Sequence, residues 1–139
     1  MGATVVAGLF LSGLATAQDV MLLTQFNGSV LRFNVATHEV QQVNPLAVAS
    51  LNGATAGPGG SVYAARFTNS LYQIDAASGA ASFVAAAFDF RGLAYVPSTS
   101  TIYAIRDNGG ATIDTLYSIN PYTGVQTLVG SPGHSALQS

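Results

Sequence analysis

A ten-residue pattern occurs three times in this chain, and its spacing restricts the possible folds more than any other feature. Each copy alternates its side chains as a short β-strand does and ends in a tight turn. The copies begin 41 and then 45 residues apart. They occupy residues 29–38, 70–79 and 115–124. A period of this length indicates a fold built from repeated supersecondary units.

Further strands surround each copy. A matching strand precedes each copy and another follows it, and two repeats also have a strand rich in small residues further upstream. The preceding strands are 20–23, 62–65 and 102–105, the following strands are 40–43, 81–84 and 126–129, and the small-residue strands are 53–56 and 92–95. Four short strands in about 40 to 45 residues is the period of a β-propeller blade. The sequence therefore predicts an all-β fold of about three four-stranded antiparallel blades in an incomplete ring, because a closed propeller usually has four to eight.

The turn that ends each copy has explicit chemistry. In the third repeat, Asn120 begins the turn, Pro121 presets φ, and Gly124 accepts the left-handed conformation. The second repeat keeps an acidic residue and a glycine at the same two places. The first repeat has His38 where the others have glycine, and histidine is among the few side chains that tolerate positive φ. We therefore interpret His38 as a turn residue rather than a catalyst.

The segment from Leu116 to Gly124 and its two relatives resemble the repeats of secreted bacterial β-propellers, in the broad superfamily that includes WD-repeat and YVTN-type propellers. The resemblance extends from Val20 to the end of the chain. It implies propeller architecture and is nearly silent on function, because the superfamily includes binding scaffolds, surface-layer and adhesion proteins, and a minority of enzymes. The chain lacks the Trp-Asp dipeptide of WD repeats and contains no tryptophan. Since no family active-site motif matches, the resemblance assigns no functional residue.

Residues 1–17 have the pattern of a secretory signal peptide. An apolar run from Ala3 to Leu14 is followed by Ala15-Thr16-Ala17, a small-x-small cleavage site. The run is shorter than the ~20 residues that span a bilayer, so we expect no membrane span and a secreted, extracellular or periplasmic location. No Arg or Lys precedes the run, and the alternatives are a buried first strand or a gene start placed too far downstream. Residues 18–139 would hold the partial propeller, with blades at 18–45, 50–87 and 90–130 and the start of a further blade at 133–139.

The composition excludes several functions. Only 7% of the residues are charged, the net charge is −2 and there is no basic run, so nucleic-acid binding is not expected. The absence of cysteine excludes thiolate metal sites and thiol nucleophiles. We expect an extracellular non-catalytic binding or structural scaffold with a protein or glycan ligand. The alternative is the N-terminal part of a propeller enzyme, a hydrolase or lyase, whose catalytic residues lie partly in missing blades.

Polar residues in two sets of loops are the candidate binding residues. In a propeller, the loops that join the second and third strands of each blade and the loops that join successive blades gather at one end of the central channel. The candidates are Arg66, Asp89, Arg91, Arg106, Asp107, Asn108, Asp114 and His134, with Asn27 and Asn69 in the corresponding loops. Loops carry binding residues disproportionately, although polar loop residues often only solvate or pair with one another.

The loop from Asp107 to Asp114 is about five residues longer than its counterpart in the second repeat, and it carries the one cofactor hypothesis. Its oxygen-bearing side chains and its glycines suit Ca²⁺, which prefers six to eight oxygen ligands. Asn-Gly-Gly is also an ordinary hairpin turn, and the carboxylate at position 12 of an EF-hand loop is missing. We otherwise expect no cofactor.

About three blades leave two apolar blade faces uncovered, whereas repeat arrays generally need capping units. The sparse charge also opposes association only weakly. We interpret the chain as the N-terminal part of a longer protein, with a subunit that closes its ring by oligomerising as the alternative. In isolation, residues 18–139 are expected to dimerise into a six-blade ring, form larger species or aggregate.

Overall fold

Twelve strands form three separate sheets in the part of the chain that the computed structural model describes, which is residues 5–11, 20–25, 29–45, 48, 50–109 and 112–135. The first sheet contains β1 (Val5–Leu11), β2 (Val20–Gln25), β3 (Ser29–Asn34) and β4 (Val40–Pro45). The second contains β5 (Leu51–Ala56), β6 (Val62–Arg66), β7 (Ser70–Ile74) and β8 (Ala81–Ala86). The third contains β9 (Phe90–Val96), β10 (Thr101–Arg106), β11 (Thr115–Ile119) and β12 (Gln126–Gly130).

Each sheet pairs its four consecutive strands in order, and every pairing is antiparallel. The predicted fold class is therefore confirmed: the chain forms three β-propeller blades that do not close into a ring. Helical structure in the described residues is limited to two single 3₁₀ turns, Pro58–Gly60 and Pro97–Thr99. No helix in this part of the chain has the length and apolar character needed to cross a membrane.

Strand β1 is the inner strand of the first blade and pairs with β2 from Leu11 opposite Val20 to Val5 opposite Gln25. It lies within the segment that the sequence pattern predicts to be removed as a signal peptide, and it corresponds to the alternative of a first strand. The cleavage-site residues 15–17 and the last four residues, 136–139, lie outside the described residues. Removal of residues 1–17 stays a prediction.

The three turns that follow β3, β7 and β11 are nearly superposable in their hydrogen bonding. Asn34, Asp75 and Asn120 each accept two backbone N–H groups on Oδ1, from the residues two and three positions further on, at 2.6–3.1 Å. The carbonyl of the same residue accepts the N–H of His38, Gly79 or Gly124 at 2.8 Å. His38 has φ 60°, close to the 70–72° of the two glycines. The interpretation of His38 as a positive-φ turn residue is therefore confirmed.

The blades pack face to face, and each blade has a front face toward the next blade and a back face toward the preceding one. The core between blades 1 and 2 joins Val30 to the back face of blade 2, which carries Val62 and Ile74. The core between blades 2 and 3 joins the front face of blade 2, where Tyr63 and Leu71 lie, to the back face of blade 3. Both faces of the middle blade are thus buried, as its apolar residues at alternating positions require.

The inner strands β1, β5 and β9 lie next to one another, where little room remains for side chains. A Cβ added to Gly53 would lie 2.9 Å from the backbone oxygen of Arg91. The hydroxyl of Thr55 on β5 accepts the backbone N–H of Tyr95 on β9 at 2.9 Å, which links two blades directly. Glycine and small residues are required here because of this close approach.

Candidate binding face at the loop end

An arginine between two carboxylates lies at the junction of blades 2 and 3. It lies at the end of the blades that carries the loops after β6 and β10 and the linkers between blades, which we call the loop end. Arg91, near the start of β9, places Nη2 2.9 Å from Oδ2 of Asp89 and 3.1 Å from Oδ2 of Asp107. Each of these three side chains is 20–24% exposed. The backbone N–H of Asp107 also donates to the carbonyl of Asp89 at 3.0 Å. The charges therefore hold the loop after β10 against the linker that enters blade 3.

Blade 2 contributes a buried amide to the same network. Asn52 Nδ2 donates to Oδ1 of Asp89 at 3.0 Å, and Asn52 is only 8% exposed. Asn52 and Arg91 each precede the glycine of their inner strand, so they occupy equivalent repeat positions in adjacent blades. Asp89 thus receives an amide from one blade and a guanidinium from the next, and its carboxylate connects the two.

Two arginines lie over phenylalanine rings at this end. The guanidinium carbon of Arg106 is 4.2 Å from the ring centroid of Phe88, and that of Arg91 is 5.1 Å from the centroid of Phe67. Phe88 and Phe67 remain 36% and 47% exposed. Phe88 also packs against Tyr117, with ring centroids 4.9 Å apart, so its orientation is fixed from below. Such cation–π pairs hold a guanidinium flat while its edge stays available for hydrogen bonds.

Arg106 differs from Arg91 in its electrostatic surroundings. Within the described ranges, no carboxylate lies within ion-pair distance of the Arg106 guanidinium. The Arg106 guanidinium, at the end of β10, instead lies over the ring of Phe88. We call Arg106 and Phe88 together the arginine shelf.

The long loop after β10 is organised by its own side chains. Asp107 Oδ1 accepts the N–H of Gly109 at 2.7 Å, and Asn108 Nδ2 donates to the carbonyl of Ile113 at 2.8 Å. Asp114 is fully buried; its Oδ1 accepts the N–H of Asn108 at 3.4 Å, and its own N–H donates to the carbonyl of His134 at 2.9 Å. The loop is therefore tied both to itself and to the chain that follows β12.

The calcium hypothesis concerns this same loop. The described residues contain no group of three or more His, Asp or Glu side chains arranged to hold a metal ion. Residues 110 and 111, in the middle of the loop, lie outside them. Oδ2 of Asp107 is paired with Arg91. To bind Ca²⁺, this oxygen would have to give up the arginine. Calcium binding stays an untested prediction.

The structure gathers six of the eight candidate residues into two groups, and the other two, Arg106 and Arg66, lie outside them. Asp89, Arg91 and Asp107 form the ion-paired group, and Asn108, Asp114 and His134 form the loop group. Arg106 belongs to the arginine shelf. Arg66 ends β6, opposite Leu51 and Ser70 in register, and its carbonyl accepts the N–H of Asn69 at 3.1 Å. Asn27 lies outside the described residues.

Three residues of this face were not among the candidates: Asn52, Phe67 and Phe88. The repeat alignment contains a signal for two of them, because Asn52 is the equivalent of Arg91 and Phe67 is the equivalent of Asp107. Phe88 gives no such signal, because its role depends on Arg106, which approaches from another strand.

Comparison with known proteins supports the architecture and leaves the activity open. No protein-family model matches the chain, and no curated protein matches it. Among solved structures, a β-propeller chain of a nidogen–laminin complex matches with a TM-score of 0.74 at 12% identity, over 94% of this chain and 49% of that one. Hydrazine synthase of Kuenenia stuttgartiensis matches with a TM-score of 0.61 at 16% identity, over 80% of this chain and 34% of that one. The chain thus spans about half the length, or less, of the structures that it resembles, and the likeness concerns the fold alone.

Proposed function

We propose that this chain is a non-catalytic binding or structural scaffold of the propeller type, exported from the cytoplasm, whose ligand docks at the loop end. The N-terminal signal-peptide pattern and the resemblance to repeats of secreted bacterial propellers support export. The propeller blades support a scaffold role, because they present loops from a rigid framework. The arginine shelf is the observation that supports a ligand site at this end.

The shelf favours a ligand that carries a carboxylate. Arg106 is positioned by Phe88 and has no carboxylate partner in the described part of the chain, so its donors can reach an incoming acid. Arginine binds carboxylates in a bidentate manner, and pre-orientation on a ring reduces the entropy lost on binding. Arg91 is less suited to this role, since two carboxylates already face it. The exposed rings of Phe67 and Phe88 offer apolar contact beside the charge.

Calorimetric titration with two carboxylate probes tests this proposal: a short polyglutamate peptide and an oligogalacturonate. We expect at least one to bind, with an affinity that falls as salt increases, and polyglutamine not to bind. Arg106→Gln should weaken the binding by about tenfold or more, the scale of one lost charge-assisted hydrogen bond. Arg32→Gln is the matched control, because it removes the same charge from the middle of β3 in blade 1.

Which probe binds distinguishes an acidic peptide from an acidic glycan as the source of the carboxylate. Failure of both probes to bind, or equal losses in the two variants, would overturn the assignment of the shelf.

A further inference from the structure

Three side chains on the front face of blade 3 are the same as those at the equivalent positions of blade 2. Tyr63, Leu71 and Val84 of blade 2 correspond to Tyr103, Leu116 and Val129 of blade 3. In blade 2, Tyr63 and Leu71 are 2% and 0% exposed, because blade 3 covers them. In blade 3, Val129 is 53% exposed and the other two are half-buried. The front face of blade 3 therefore has the residue pattern of a face that packs against a following blade.

The back face of blade 1 has the matching pattern. Leu31 and Phe33 of β3 lie opposite Leu23 and Met21 of β2 in the strand register. The equivalent positions in blade 2, which form its buried back face, are Tyr72, Ile74, Ala64 and Val62. All of these positions are apolar. Blade 1 thus has the residue pattern of a blade that packs onto a preceding one.

The contact between a turn and the preceding blade gives a more specific test of fit. At the blade 2–blade 3 junction, the turn residue Gly124 lies against β8, and a Cβ added to it would be only 2.3 Å from Cβ of Ala85 and 3.4 Å from Cγ1 of Val84. A side chain in the turn and a Cβ on the strand cannot both be accommodated there. At the blade 1–blade 2 junction the turn residue is again a glycine, Gly79, and the equivalent strand residue, Asn44, again has a Cβ.

The arrangement is reversed at the two outer blade faces, where the turn of blade 1 and the last strand of blade 3 meet no neighbouring blade among the described residues. Blade 1 has His38 at the turn position, with a side chain that lies over Phe33 on the back face, ring centroids 6.2 Å apart. Blade 3 has Gly130 at the strand position, opposite Leu116, and a Cβ added there would meet nothing within 4 Å. The turn with a side chain thus belongs with the strand that lacks one.

We propose that the front face of blade 3 in one copy packs against the back face of blade 1 in a second copy, with His38 lying against Gly130, and that two copies close a six-blade ring. The chain matches 49% of the β-propeller chain in the nidogen–laminin complex, and the six blades of two copies lie within the four to eight of closed propellers. Both contacts in such a ring are identical and related by a two-fold axis, which leaves no uncovered blade face.

Disulfide trapping tests the pairing directly, because the natural chain contains no cysteine. His38→Cys and Val129→Cys are prepared as separate full-length chains, mixed and oxidised. We expect covalent dimers from the mixture and few from either variant alone, since each thiol would face the other position in the partner. Leu128→Cys replaces Val129→Cys in the control: Leu128 is similarly exposed, at 58%, but its strand position pairs with Tyr117 on the back face. It should not crosslink to His38→Cys.

Light scattering coupled to size exclusion gives the stoichiometry. The full chain should elute with twice its 14.2 kDa mass at tens of micromolar. Val129→Glu should raise the dimer dissociation constant by about tenfold or more, whereas Leu128→Glu should leave it unchanged. Gly130→Ala should also weaken the dimer, and adding His38→Gly to it should restore association by recreating the Gly124–Ala85 arrangement. Restoration would exclude misfolding as the cause of the first loss.

Three results would overturn the proposal. The first is a cooperative monomer at these concentrations. The second is crosslinking of Val129→Cys to itself as readily as to His38→Cys, which would mean a face-to-face pair. The third is a mass that continues to grow with concentration, which would mean an open chain of copies rather than a closed ring.

Discussion

Replacing Gly124 by alanine should destabilise the chain through two separable effects. Gly124 has φ +70°, where an L-residue is disfavoured, and its missing Cβ is what allows the turn of blade 3 to lie against β8 of blade 2. The substitution therefore tests both the turn and the blade junction with a single methyl group.

The expected magnitude follows from the geometry. The left-handed conformation costs an alanine about 1 kcal/mol. The new Cβ would lie 2.3 Å from Cβ of Ala85, whereas carbon atoms pack at about 3.5–4.0 Å, so the turn and strand must move apart by about 1 Å or more. Overpacking of this kind typically costs about 1–3 kcal/mol. We expect Gly124→Ala to lower the free energy of unfolding by about 2–4 kcal/mol, and valine to lower it further.

Urea denaturation followed by circular dichroism measures this change, with all variants at one protein concentration because association is coupled to unfolding. Gly59→Ala is the matched control: Gly59 has φ +66°, but a Cβ there would meet nothing within 4 Å. It should cost only the conformational part, about 1 kcal/mol. Adding Ala85→Gly to Gly124→Ala should recover most of the steric part and none of the conformational part. Equal costs for the two glycine variants, or no recovery with Ala85→Gly, would refute the packing argument.

Three further predictions concern charge and protonation. Hydrogen bonds from the Ser78 hydroxyl and backbone lower the pKa of Asp75, so its contribution to stability is present above about pH 4 and is lost as the pH falls through the lowered value. Asp75→Asn, which matches the asparagines of the other two turns, should flatten the acid limb of a urea-midpoint profile; an unchanged limb would contradict this. Burial raises the pKa of Tyr63, so its contribution is complete below about pH 10 and is lost as the pH rises through the raised value. Tyr63→Phe should flatten the alkaline limb, and a limb as steep as in the natural chain would refute the assignment. Arg91→Leu leaves its two carboxylate partners facing each other, so it should cost about 1–3 kcal/mol at low salt and less at high salt, which screens their repulsion. A deficit independent of salt would show that packing rather than charge carries the effect.

The features that were predictable from sequence are those whose causes are local. Alternation with a period of two places side chains on the two faces of a strand, and Asn120 with Gly124 specifies a turn by its own hydrogen bonds and φ preference. His38 follows the same logic, since its repeat position alone predicts positive φ. The order of strands within each blade then follows because consecutive strands joined by short turns pair as neighbours.

The features that could not be predicted depend on residues far apart in the chain. The contact of Asn52 with Asp89 spans 37 residues, and its existence depends on how closely the inner strands of two blades approach. The stack of Arg106 on Phe88 likewise depends on a loop conformation that no motif encodes. The apolar run at the N-terminus is ambiguous for another reason: seven apolar and small residues satisfy both a signal peptide and an inner strand such as β1.

The distribution of charge separates the two ends of the blades. Among the residues that the structure describes, three of the four arginines and three of the five acidic residues lie at the loop end, in a chain with very few charges overall. The opposite end is fixed by the three repeated turns, in which Asn34, Asp75 and Asn120 each satisfy two backbone N–H groups. Those turns are nearly identical because each must provide acceptors for the same two backbone N–H groups. The loop after β10 differs from its counterpart in blade 2, in length as well as in charge, so these differences are not required by the repeat. Surface that is charged, aromatic and free to vary while the framework below it repeats is where a scaffold of this kind can acquire a specific ligand.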